Sequence, residues 1–227
     1  MFLLPLAACG TVDYDNLPPA QFDGTLHVVW VGEGDDFIGD GLFVYVPDPA
    51  DPLRLIRSNP DATVATIEPQ MIYTDGGSIP RPATLFSGFS PWGYGPAYII
   101  HDWLFVARHC ATDGDPDPAY APYADMEFQE SAEVIAEAIQ ALIASDRVRE
   151  NQVAPRVISG VVAGPISYNR WVEVGACADH RVPEDILERA RLGTPGATVP
   201  RSGFSTLRLE GRDVRVTPGQ TVASFSF

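Results

Sequence analysis

Apolar and polar positions change rhythm once along this chain. Up to about residue 74 the apolar residues come in short runs, "LHVVWV", "GLFVYVP", "LRLIRS", "ATVATI" and "QMIYT", rich in β-formers and separated by turn residues. They predict a small antiparallel β-meander over residues 25–74, broken once by a loop that Pro47, Asp48, Pro49, Asp51 and Pro52 impose. Beyond Tyr94 the pattern becomes helical. A first helix is expected over Gly95 to His109, with Pro96 in the first turn, where a missing N–H does no harm. A second, "PYADMEFQESAEVIAEAIQALIAS", runs from Pro122 to Ser145 and is dense in Ala, Glu and Ile. The acidic "ATDGDPDPAYA" between them is short, so the two should pack as an antiparallel hairpin. A third helix falls within Val153 to Trp171, its extent blurred by Gly160, Gly164 and Pro165, and "VPEDILERARL" makes a short fourth. The tail, "FSTLRLEG", "DVRVTP" and "TVASFSF", returns to strands, with Gly211 in a tight hairpin turn.

The expected class is α+β: a small antiparallel β-meander, then an antiparallel helical hairpin, further helices and C-terminal strands. Residues 25–180 form the main domain and 181–227 an appendage of one helix and strands. Residues 10–24, polar and carrying Pro18-Pro19, form a tether.

Charge narrows the range of partners. The formal net charge of −15 comes from 30 acids against 15 bases, and every base is arginine. Nucleic acid is excluded as an expected partner, because phosphate binding draws on a basic face that such a chain lacks. The beginning points to a membrane instead. Leu6-Ala7-Ala8-Cys9 resembles a bacterial lipobox, which implies that Cys9 carries lipid and that residues 1–9 are the remnant of a lipoprotein signal. That remnant is shorter than a normal signal peptide and has no positive charge, which a true start codon further upstream would explain. Gly10 in place of an aspartate implies the periplasmic face of the outer membrane. An exported chain meets an oxidising compartment, where Cys110 and Cys177 are either paired as a disulfide or left as two buried thiols.

Candidate chemistry concentrates in "YGPAYIIHDWLFVARHC", an apolar helical run with His101 and Asp102 in its middle. Helical steps turn His101 inward and Asp102 about a hundred degrees away from it. On the second helix Asp125 shares a stripe with Phe128, Ala132, Ile135, Ile139 and Leu142, and a carboxylate on a buried stripe needs a partner. The expected contact is Asp125 with His101, an orienter holding a base in one tautomer. Asp102 is then placed to bind a cation. Upstream, "YTDGGSIPRP" leaves the last strand through Asp75, Gly76, Gly77 and Ser78, a glycine-rich turn whose backbone can approach an ion or oxyanion closely. Trp92, Tyr94 and Tyr98 either line the mouth of such a site or belong to the core. His27, His109 and His180 have no partners at ligand spacing and read as structural or surface residues.

In their order along the chain, "DGGSIPRP", "GPAYIIHDWLF" and "YADMEF" resemble the phage and bacterial family known as domain of unknown function thirteen fifty-three, over roughly residues 70–171. That resemblance implies no activity. A more distant likeness, to the secreted phospholipases A2, implies one. Those enzymes also carry an HD pair on a helix, with a second helix whose aspartate bonds the histidine. The likeness implies His101 as base, Asp125 as its orienter, and calcium on Asp102 with the loop of Asp75, Gly76 and Gly77. Calcium also suits an oxygen-only donor set better than zinc does.

The leading expectation is a metal-assisted hydrolase of the cell envelope, acting on lipid or other envelope substrates and anchored by lipid at Cys9. A variant of it makes Ser78 the nucleophile, with His101 as its base. The alternative is a non-catalytic, phage-derived or envelope interaction lipoprotein in which His101 and Asp125 form a structural buried pair.

Overall fold

A computed structural model describes residues 12–32, 42–74, 93–148, 158, 160 and 162–227, and the chain is α+β, with C-terminal strands as expected. It divides into two compact units.

The first unit takes residues up to Phe22, then Arg54–Glu68 and Gly76–Asp179. Its sheet is small, in the order β1 (Gln21–Asp23), β4 (Arg54–Ile56), β5 (Thr66–Ile67). Two helices dominate it, α1 (Gly95–Thr112) and α2 (Phe128–Ala144). Pro96 opens α1, where no intrahelical donor is lost. Tyr98, Ile99, Ile100, His101, Trp103, Leu104, Val106 and Ala107 of α1 are all buried, so it is apolar on nearly every side and is itself core. The expected apolar stripe of α2 is buried from Phe128 through Ala132, Ile135 and Ile139 to Leu142. A short helix, α3 (Pro165–Trp171), adds Trp171 to the ring of Phe105 on α1, centroids 5.0 Å apart and edge to face. Part of the segment read as a tether is folded. Ala20 and Phe22 are buried, and the Gln140 side-chain amide donates to the Tyr14 carbonyl.

The second unit takes Asp23–Leu53, Pro69–Asp75 and His180–Phe227. Its antiparallel sheet has the order β6 (Ile72–Thr74), β3 (Leu42–Pro47), β2 (Thr25–Gly32), β9 (Gln220–Ser226). The last strand of the chain thus pairs with the second. Strand alternation puts Val29 and Val31 of β2 beside Val44 and Val46 of β3. The helix α4 (Glu184–Leu192) covers them through Ile186 and Ala190. Backbone and helix approach closely at Gly219, where a Cβ would sit 2.6 Å from Val29 Cγ1 and 2.7 Å from the Trp30 carbonyl oxygen. A separate hairpin, β7 (Ser205–Leu209) with β8 (Arg212–Val216), turns at Glu210-Gly211, both with positive φ, the two-residue geometry that favours glycine.

Candidate functional site

Steps of four and three along α1 bring Tyr94, Tyr98, His101, Phe105 and Arg108 onto one face. Tyr94 Oη, Tyr98 Oη, His101 Nε2 and Arg108 Nε are all buried, and among the described residues none has a hydrogen-bond partner. Each such atom costs about 1–3 kcal/mol when left unmade. The core ordinarily pairs its polar groups, so an unpaired set on one stripe is a feature that needs a cause. Side by side, the rings of Tyr94 and Tyr98 lie 6.4 Å apart, edge to face, and His101 tilts over Phe105 at 5.0 Å.

Burial sets the protonation of this face. The His101 imidazole, only 9 % exposed, is lowered to about 4 by loss of water around its charged form. It is therefore neutral at neutral pH, with Nε2 a donor or an acceptor according to tautomer. The Tyr98 hydroxyl is pushed well above its ordinary range, first by burial and then by Tyr94 and the charge of Asp102; burial alone pushes up that of Tyr94. Asp102 is half-buried and has interaction partners of its own.

One expectation is corrected here. Asp125 is not on the second helix and does not orient His101: it is exposed, in a turn between a 3-10 segment at Ala121–Tyr123 and the start of α2. The helix begins three residues later because Glu127 takes an extended backbone, φ −79° and ψ 149°, which interrupts the run. Water solvates Asp125 at no cost, so it needs no partner. The stripe that seemed to require one starts at Phe128.

A buried carboxylate does tie the elements of this unit together, but it is Glu137. The Arg57 Nε donates to Glu137 Oε2 at 2.8 Å and its Nη2 to Oε1 at 3.0 Å, a two-pronged pair with both side chains fully buried. Arg57 Nη1 also donates to Glu130, whose Oε1 accepts the Thr63 N–H at 2.8 Å. The signal was present as a glutamate inside "VIAEAIQAL", yet its partner lies 80 residues away and no local spacing names it.

Near the end of α1, Cys110 and Cys177 are joined by a disulfide. Asp113 holds the same turn, accepting the Gly175 N–H at 2.8 Å and the Cys177 N–H at 2.9 Å. His109 Nε2 donates to the Arg170 carbonyl at 2.6 Å, so it is a structural link to α3. Asp115 completes a Cys110, Asp115, Cys177 cluster of potential ligand atoms, but bonded thiols are not free thiolates and the cluster reads as no metal centre.

Ser78, Asp75, Gly76, Gly77 and Cys9 lie outside the described residues. Calcium asks for about six to eight oxygen ligands. Asp102 offers a single carboxylate and His101 brings nitrogen, so the two do not by themselves fit calcium, and no chemical step is assigned to a metal. No family model, curated protein or solved structure matches the chain.

Proposed function

We propose that this chain is a hydrolase of the bacterial cell envelope, with neutral His101 as the group that takes a proton from water or a substrate hydroxyl. The observation that carries the reading is the buried His101 Nε2, without a partner among the described residues. A structural histidine in a core is retained with its hydrogen bonds made, whereas a base must keep one ring nitrogen for the reacting proton. The tyrosine hydroxyls at Tyr98 and Tyr94 have the same unmet capacity and sit about one and two turns before it, where they would position a polar substrate. Arg108, about two turns beyond, brings the positive charge that an oxyanion or a phosphate would meet.

A base lowered to about 4 is weak, and catalysis is best served near the working pH. Water or an anionic group brought in by the substrate would solvate the imidazolium and raise it. The reading of His101 and Asp125 as a structural pin has lost its bond, since Arg57 and Glu137 are the buried pair of this unit. Lipid at Cys9 would hold the enzyme at its substrate, which favours lipid esters as the first class to test.

The test is hydrolysis of phospholipid vesicles and of soluble esters by the full chain and by His101→Leu, with and without millimolar calcium. Turnover by the wild type that drops by on the order of a hundredfold or more in the variant, with folding retained, is the expected outcome. Equal turnover by the two proteins would rule the reading out. A calcium requirement that Asp102→Asn abolishes would add the metal to it.

A further inference from the structure

Sequence spacing shows no partner for His27, but the sheet of the second unit supplies two. His27 on β2 stands directly opposite Ser224 on β9, and its Nδ1 is 2.5 Å from the Ser224 hydroxyl oxygen. Its Nε2 lies 3.5 Å from Asp48 Oδ2, in the loop that follows β3. Asp48 is itself fixed, since its Oδ1 accepts the backbone N–H of Ala50 at 2.8 Å and of Asp51 at 3.2 Å. The Ala50 amide foremost holds its carboxyl below the ordinary value; burial, next in size, opposes it, and His27 and the Asp51 amide lower it further.

These contacts assign a tautomer. An ionised Asp48 accepts from Nε2–H, which leaves Nδ1 bare and able to accept only the Ser224 O–H. The set is a nucleophile, a base within reach of it, and a third group that orients the base. Either ring nitrogen can take the proton provided that the other is the donor. The Asp48 contact is at the long end of a hydrogen bond, as such contacts often are before a substrate is bound.

Burial and placement favour a site over a plain cross-strand pair. The sheet face divides in two. Under α4 it carries Val29, Val31, Val44 and Val46, while its other end carries His27, Ser224 and Asp48, with Thr25 3.0 Å from both Asp51 and Ser226. His27 is only 5 % exposed, yet Ser224, whose proton it accepts, is open to solvent on the edge strand. A shielded base behind an exposed hydroxyl is the arrangement that acyl transfer needs.

We infer that Ser224, His27 and Asp48 form a second reactive site, in which Ser224 accepts acyl groups from small esters. Ser224 Oγ attacks the ester carbonyl carbon as its proton passes to His27 Nδ1. The carbonyl re-forms, the C–O bond to the alcohol breaks, and the leaving oxygen takes that proton from His27. Water then adds to the acyl-serine, giving one proton to His27, which returns it to Ser224 Oγ as the carboxylic acid leaves. An exposed serine on an edge strand suits short acyl chains. The inference is independent of His101.

A fluorophosphonate probe on the full chain, followed by peptide mapping, tests it. Label is expected on Ser224. Ser224→Ala should lose it, His27→Gln should slow labelling on the order of a hundredfold or more, and Ser226→Ala, which faces Thr25, should label at the wild-type rate. Wild-type chain that carries no label on Ser224 would overturn the assignment with no variant needed, as would label on Ser224 that appears equally fast in His27→Gln.

Discussion

At the scale of single residues, His101, the base we propose, also makes stability depend on pH. Its imidazole titrates near 4 when folded, against an ordinary value of 6.5. Between those two values the unfolded chain binds a proton that the folded chain refuses, so stability is full above pH 6.5 and falls as the pH drops toward 4. Two and a half units correspond to roughly 3 kcal/mol. Urea unfolding of wild type and His101→Leu at pH 7, 5.5 and 4 should show wild type losing about that much more than the variant. At pH 7 the leucine, with no polar atom to bury, should be as stable as wild type or more so. Parallel pH curves would show that His101 is not desolvated. Arg57 behaves in the opposite way. Its partner Glu137 is fully buried, so Arg57→Ala leaves an uncompensated carboxylate and should cost about 3–5 kcal/mol. Arg57→Met with Glu137→Leu removes both charges and should cost clearly less than the single change. A double variant no better than Arg57→Ala would mean that packing, and not charge, sets the loss.

At the scale of elements, the hydrophobic pattern was a good guide to which segments are helices and strands, and a poor one to where they begin and what they touch. The stripe from Phe128 to Leu142 is buried as its period predicts, and Glu210-Gly211 turns the last hairpin. Asp125 was misplaced because "YADM" carries no strong helix breaker, and only the backbone at Glu127 shows that α2 has not begun. The partners of His27 and Arg57 were illegible for a different reason. They lie 197 and 80 residues away, brought near by strand order and helix packing that no local spacing encodes. What secures α1 is a covalent link of the same long range. The disulfide from Cys110 to Cys177 closes 67 residues, and by restricting the unfolded chain a loop of that size contributes about 2–5 kcal/mol. Cys110→Ser with Cys177→Ser should lower stability by that amount, read as a shift of the urea midpoint. Reductant should reproduce the shift in wild type and leave the double variant unmoved.

At the scale of the whole molecule, the chain carries two histidine-centred arrangements, one in each compact unit, and they differ in what surrounds them. His101 is enclosed in a helical core with unmet polar atoms along its face, whereas His27 backs an exposed serine on a sheet edge. Neither explains how the protein would reach an envelope substrate. Among the described residues no helix is long and apolar enough to cross a membrane. Adsorption through charge is opposed as well, because a formal −15 with no lysine is repelled by anionic headgroups, which draw in polybasic segments and not acidic ones. We propose attachment through lipid at Cys9, whose setting resembles a lipobox. Cys9→Ser, expressed in a bacterium behind a full lipoprotein signal, should move the protein from the membrane pellet to the supernatant after lysis. Metabolic labelling with palmitate should mark wild type alone. Wild type that stays in the pellet without label, or a variant that stays there equally, would transfer membrane attachment from Cys9 to the folded units, and with it the case for lipid as the first substrate.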